Sequence, residues 1–355
     1  MKLSENYRRL VIKVGTSILT DSANHLDIGF INNIAYQVSA LVGEGREVVV
    51  VSSGAIACGL DNLSLTKRPT KLDKLSALAS LGQIRLMEAY QNAFRKYHNN
   101  CAQVLLTWDD FDKRARFLNA KKTLNQLFKY KSVAIINEND SVSTEEIKFG
   151  DNDRLSALVA TLISSDILII LSDVDGLFDR KNNRLINLVE KIDNEIMRLA
   201  CGSKKFSCVG GMHTKLEAVK IANNAGIPCI LANGKTKDIL IDIAKGESPG
   251  TFFCAGTRPK DKKNWIATSA KCKGAIVVDA GAKAAIIARK KSLLSVGIIE
   301  AQGEFKENDV VFIADMAGSK FAKGITRFSA QKINQIKGKK GQPEVVHRDC
   351  LIVIE

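Results

Sequence analysis

No stretch of this sequence approaches the roughly 18 uninterrupted apolar residues that a membrane-spanning helix needs, which excludes the spanning class. The first nine residues, Met-Lys-Leu-Ser-Glu-Asn-Tyr-Arg-Arg, carry no apolar segment ahead of Leu10, so no secretory leader is expected and the expected location is cytoplasmic. Histidine is scarce, with only His25, His98, His213 and His347, and none falls in a His-Glu-x-x-His pattern. The eight cysteines show no Cys-x-x-Cys spacing, and several lie inside apolar runs. Both absences argue against a structural zinc site, and buried reduced thiols are expected instead. Neither Gly-x-x-x-x-Gly-Lys-Ser/Thr nor Gly-x-Gly-x-x-Gly occurs at a strand end, so the two commonest nucleotide fingerprints are missing.

What remains is a folded chain: 355 residues, 45% hydrophobic and 25% charged, with a mean hydropathy of −0.03. That length exceeds the ~250 to 300 residues of a single core, so two domains are expected. Up to about residue 250, apolar runs at Leu10, Glu47, Ala102, Ser132, Ile167 and Ile227 alternate with amphipathic stretches over 28–44, 71–97, 116–129, 153–164 and 212–224. Runs apolar on both faces suit central strands covered by helices, so the pattern predicts an α/β fold with a mostly parallel sheet sandwiched by helices. The rhythm breaks at a basic, poorly patterned segment over 258–272, expected to be a linker. Beyond it, short runs at 275–278, 297–301, 309–314, 321–328, 344–346 and 351–354 predict a small β-barrel. The expected division is therefore 1–257, 258–272 and 273–355.

Polar chemistry gathers where the predicted strands end. The first run closes in Lys13-Val-Gly-Thr-Ser17, and the second in Ser52-Ser53-Gly54-Ala55. Glycine beside a lysine and hydroxyls lets backbone N–H groups approach an anion, and ligands of open α/β sheets bind at carboxyl ends of strands. Asn137-Glu138-Asn139-Asp140 and Gly150-Asp151-Asn152-Asp153 place seven acidic or amide side chains in two short loops. Capping and Asx turns account for one of them, and the set suits an ammonium-bearing substrate. Ser172-Asp173-Val174-Asp175-Gly176 follows a further run, and Val209-Gly210-Gly211-Met212-His213-Thr214-Lys215 opens a helix with a lysine one turn inside, placed to reach a phosphoryl group.

In order and spacing these segments resemble the amino acid kinase family, and within it the branch that phosphorylates the γ-carboxylate of glutamate. The segment after residue 272 resembles a PUA domain. The resemblance implies ATP, with Mg²⁺, and L-glutamate as substrates, and L-glutamyl 5-phosphate, the first intermediate of proline synthesis, as product. It implies that Lys13 and Lys215 neutralise the transferring phosphoryl group and that Asp153 orients them. Ser53, Asn137, Asp140 and Asn152 match glutamate-binding positions. Lys13, Ser172, Asp173 and Val209, Gly210, Gly211, Met212, His213, Thr214 and Lys215 match nucleotide-binding ones. No metal-ligating side chain is assigned. The resemblance further implies a homo-oligomer and proline as feedback inhibitor. The chain departs from the family pattern at His213, where serine or threonine is more usual, at Val209, which replaces a small polar residue, and at Ser172, which replaces threonine.

The formal charge of +14 points to an anionic partner without naming it. By segment it divides into +5 over 1–257, +4 over 258–272 and +5 over 273–355, so most of the excess lies outside the expected catalytic part. Two other functions remain open at this stage, a kinase for another acidic amino acid and an RNA-binding protein built on a kinase scaffold.

Overall fold

The computed structural model of the chain describes residues 7–21, 25–142, 151–200, 211–256, 261–268 and 270–354. Gly150, Cys201, Cys208, Val209, Gly210, Arg258, Pro259 and Lys260 lie outside these residues, as do the side chains of Asp151 and Lys262. The chain divides into two compact units, residues 1–111 with 115–257, and residues 112–114 with 258–355. Among the described residues, no helix is long and apolar enough to cross a membrane.

Among its described residues the first unit holds the strands β1 (Arg9–Val14), β2 (Glu47–Ser52), β3 (Cys101–Leu106), β4 (Val133–Glu138), β5 (Ile167–Ser172), β6 (Phe178–Asp179), β7 (Arg184–Leu185), β8 (Leu188–Val189), β9 (Cys229–Asn233) and β10 (Thr251–Phe253). Its helices are α1 (Thr16–Leu19), α2 (Ile28–Gly43), α3 (Ala55–Asn62), α4 (Leu72–Arg95), α5 (Trp108–Asp112), α6 (Arg114–Lys129), α7 (Asp151–Ile163), α8 (Asn194–Leu199), α9 (Met212–Asn224) and α10 (Ile239–Ala244). Eight strands form one sheet in the order β3-β4-β2-β1-β5-β9-β10-β8, parallel from β3 through β9, with β10 antiparallel to β9. All six expected strands are present. β10 and β8, too short to show a periodicity, extend the sheet beyond them, and β6 and β7 form a separate hairpin.

The apolar runs dictate the sheet's centre. Leu10, Val11, Ile12 and Val14 of β1 are fully buried, as are Ile167 to Leu171 of β5, as expected for strands covered on both faces. Beyond β1 the chain passes to β2 on one side, and beyond β5 it passes to β8 and then β9 on the other, so the connections part between β1 and β5, the place where open α/β sheets form a crevice at the carboxyl ends of their strands. Helix α3 follows β2 through Gly54, whose φ of +104° is a conformation that glycine adopts without steric cost. Helices α3 and α4 then cross at a glycine contact. A Cβ on Gly59 would lie 2.0 Å from the Leu78 carbonyl oxygen, and one on Gly82 1.8 Å from that of Ala55.

The second unit contains α11 (Asp261–Thr268), α12 (Ala280–Ile287), α13 (Ala330–Ile336), β11 (Ala275–Val278), β12 (Ile298–Gln302), β13 (Val310–Ala314), β14 (Lys320–Ile325) and β15 (Leu351–Val353). Its sheet runs β12-β11-β13-β14-β15, antiparallel except for the β11/β13 pair. Ile276, Val278, Val311, Ile313, Ile333 and Val346 are among its own buried core. Two expectations need correction. Residues 344–346 form no strand, only an isolated bridge from Val346 to Leu293. Part of the basic segment folds as α11, which packs on β14 and β15 and buries Trp265 and Ile266, an apolar pair too short to register as a pattern.

Candidate active site

Lys13 is the penultimate residue of β1, and its backbone is fixed on both sides by pairing with Val51 of β2 and Ile170 of β5. A charged side chain this deep needs a partner, and Asp153 in the first turn of α7 supplies it. The Lys13 Nζ lies 2.5 Å from Asp153 Oδ1, with relative exposures of 5% and 1% for the two residues. The other carboxylate oxygen faces α9: the Lys215 Nζ is 3.6 Å away, and Thr214 Oγ1 donates to it at 2.8 Å. Lys215 also donates to the carbonyl of Gly211 at 3.1 Å, which turns the ammonium toward the start of its own helix.

The electrostatics follow from burial and pairing. Desolvation pushes the Asp153 carboxyl up, but the charges of Lys13 and Lys215 and the hydrogen bonds from Lys13 and Thr214 outweigh it, so the group is held below 3.8 and stays ionised. Burial pulls the Lys13 ammonium below 10.5, and Lys215 adds to that pull while Asp153 opposes it. One carboxylate thus holds two ammonium groups from distant segments of the chain in the crevice.

Beside this triad lies a chain of amides. Asn152 Nδ2 is within hydrogen-bond distance of three oxygens, Asn137 Oδ1 at 2.9 Å, Ser53 Oγ at 3.0 Å and the Ser52 carbonyl at 3.3 Å. Asn137 Oδ1 also accepts from the Glu138 backbone N–H at 2.9 Å, and Asn137 Nδ2 donates to Gln83 Oε1 on α4 at 2.9 Å. Below them, the Ser52 hydroxyl meets the buried Tyr90 hydroxyl at 2.9 Å, and burial raises the Tyr90 phenol above its ordinary value. Three of the four expected glutamate-binding residues, Ser53, Asn137 and Asn152, are therefore in direct contact. The fourth, Asp140, is half-buried two residues past β4 and has Arg68 as an electrostatic partner.

On the other side of Lys13, Asp173 follows β5 and accepts from Ser172 Oγ at 3.1 Å and Ser17 Oγ at 3.2 Å. Desolvation raises its carboxyl, and hydrogen bonds from its own backbone N–H, Ser172 and Ser17, together with the charge of Lys215, bring it below 3.8. Gly211, with φ of +69°, caps α9, and Met212, His213 and Thr214 form its first turn. Of the expected nucleotide-binding residues, Val209 and Gly210 lie outside the described residues. Gly15 carries the chain out of β1, and a Cβ there would stand 3.2 Å from the Lys13 Nζ.

Sequence reasoning missed Gln83, Arg68 and Tyr90. Gln83 and Tyr90 sit within an amphipathic helix where a polar residue attracts no notice. The one available signal was Gly82 beside Gln83, a glycine inside a helix that marks a close approach.

Residues 8–233 match the amino acid kinase family, and residues 274–343 match the PUA domain. Curated relatives match from end to end. The glutamate 5-kinase of Caldanaerobacter subterraneus subsp. tengcongensis is 41% identical, with 98% of each chain covered. That of Carboxydothermus hydrogenoformans is 41% identical with 100% of each covered, and that of Marinomonas sp. 40% identical over 98% of this chain and 97% of its own. With Lys13 of β1 and Lys215 of α9 sharing one buried carboxylate, a C-terminal segment that matches the PUA domain and full-length relatives of one name, the chain belongs to the amino acid kinase family, in its glutamate 5-kinase branch.

Proposed function

We propose that this protein transfers the γ-phosphoryl group of ATP to the γ-carboxylate of L-glutamate, giving L-glutamyl 5-phosphate as the first step of proline biosynthesis. The observation that carries the reading is the Lys13–Asp153–Lys215 triad standing between an amide cluster and the Asp173 side of the crevice. The name shared by the full-length relatives supports the choice of glutamate.

Phosphoryl transfer asks for alignment and for positive charge where negative charge spreads, more than for covalent chemistry by the protein. The two ammonium groups supply that charge, and Asp153 brings them together. The γ-carboxylate of glutamate is ionised at neutral pH, so it attacks without a catalytic base. Ser53, Asn137, Asn152 and Asp140 bind the amino acid, and Ser172, Asp173 and 209–215 bind the nucleotide. Asp173 with Ser17 and Ser172 is an all-oxygen donor set of the kind that fits magnesium. Magnesium bound with ATP would offset phosphate charge there. Proline carries the same α-carboxylate and ammonium as glutamate and would compete for the amide cluster. We assign catalysis to residues 1–257, followed by an accessory unit over 258–355, and the active form to a homo-oligomer.

A coupled ADP-release assay with L-glutamate, acetylglutamate, aspartate and UMP tests the reading. Turnover with glutamate above the others is expected. ADP release with another acceptor and none with glutamate overturns it.

A further inference from the structure

The amide chain has a direction, and the backbone sets it. Because the Glu138 N–H donates to Asn137, the accepting atom must be the Asn137 oxygen, so its nitrogen faces Gln83 and the Gln83 atom that meets it must be the oxygen. Asn152 likewise turns its nitrogen inward, toward three oxygens. One donor group and one acceptor are left over. The Gln83 Nε2 and the Asn152 Oδ1 have no hydrogen-bond partner, and Gln83 is 8% exposed. A buried amide left unpaired forfeits its hydration with nothing in return, so a native structure that keeps one calls for a reason.

The leftover pair is complementary to the head group of an α-amino acid, which offers one ammonium donor and one carboxylate acceptor on the same carbon. We propose that Gln83 is a substrate-binding residue, its Nε2 donating to the α-carboxylate of the amino acid substrate while Asn152 Oδ1 accepts from the ammonium. The inference rests on the proposed function. It adds a residue from α4 to a site otherwise made at strand ends and at the start of α7, and it explains why a glutamine stands where any acceptor would have served Asn137.

Gln83→Glu separates this role from support of Asn137, because a carboxyl group still accepts from Asn137 Nδ2. Protonated, it also donates as the amide does; ionised, it opposes the substrate carboxylate. The KM for glutamate of Gln83→Glu is expected to exceed that of the unchanged protein by at least about tenfold at pH 8.5, where the carboxyl is ionised, and to fall toward it as pH approaches the ordinary glutamate pKa of about 4.3. The KM for ATP stays within about twofold, the scale of a contact not lost. Gln83→Met, which lacks any donor, shows the raised glutamate KM at every pH, with a melting temperature recorded alongside. A flat pH profile with an unchanged glutamate KM in Gln83→Glu overturns the proposal and leaves Gln83 as support for Asn137. An equal rise in both KM values in Gln83→Met also overturns it. If the unchanged protein fails to phosphorylate glutamate, it is the functional reading that falls.

Discussion

Lys13 and Lys215 bind opposite oxygens of one carboxylate, Asp153 Oδ1 at 2.5 Å and Oδ2 at 3.6 Å. The tighter contact is the more deeply buried, so Lys13 serves the architecture as well as the chemistry. Lys215, held to Asp153 and Gly211 by longer contacts, has more freedom to follow a moving phosphoryl group.

Lys215→Ala should therefore lower kcat by about 10² to 10³, the usual effect of removing one charge-stabilising donor. The glutamate KM should stay within about threefold, because stabilisation confined to the transition state acts on kcat. Steady-state kinetics with both substrates varied checks this. A pure KM effect would contradict the assigned role.

Asp153→Asn leaves Lys13 buried opposite a neutral amide. Breaking a buried pair in this way costs about 3 to 5 kcal/mol, so the urea midpoint should drop markedly along with the loss of activity. A variant as stable as the parent would show that Lys13 escapes to solvent when its partner is lost.

The same pair sets a pH dependence. The folded pKa of Asp153 lies below its unfolded value of 3.8, so the stability it contributes is complete above that value and is lost as pH falls through the lower one. Lys13 acts at the alkaline end. Its folded pKa is below 10.5, so between the two values the unfolded chain binds more protons and stability from this group rises with pH. Urea midpoints measured between pH 7 and 2.5 should fall more steeply for the parent than for Asp153→Asn. Parallel curves would remove Asp153 from the account.

Burial pushes the Cys58 thiol up to about 11, and it raises Cys229 as well. At pH 8 the thiolate fraction at Cys58 is then about 10⁻³, too small for appreciable alkylation. Iodoacetamide followed by peptide mass analysis should leave both unmodified in the folded protein and label both in urea. Rapid labelling of Cys58 in the native state would contradict its placement in the core.

Gly82→Ala inserts a methyl group where the Ala55 carbonyl already lies. Overpacking of this kind costs about 1 to 3 kcal/mol and should appear as a lower melting temperature. Because Gln83 is the next residue and α3 starts two residues after Ser53, the glutamate KM should rise as well. A lower melting temperature with an unchanged KM would show that the crossing serves stability alone.

Much of the first unit was legible from sequence because its central strands are apolar on both faces, a signal that six short runs carried independently. Thr251–Phe253 and Leu188–Val189 carried none, since two or three residues cannot display a period, and their pairing depends on what lies alongside. Glu344–Val346 had strand-like residues but only a single bridge to Leu293. Strand-end chemistry marked Lys13, Asp153, Asn152 and Lys215 because lysine, aspartate and glycine are unusual beside buried runs. Gln83 and Arg68 carried no such mark: they reach the site through a helix crossing and a loop, which only three-dimensional packing reveals.

The position of β1 has a consequence for the order of events during synthesis. This strand emerges first and occupies the middle of the sheet, yet one of its neighbours is β5 and the counter-charge of Lys13 is on α7. Because α7 precedes β5 in the chain, Asp153 is already available when β5 pairs with β1, so Lys13 enters the sheet's centre as one half of an ion pair and never as a bare ammonium.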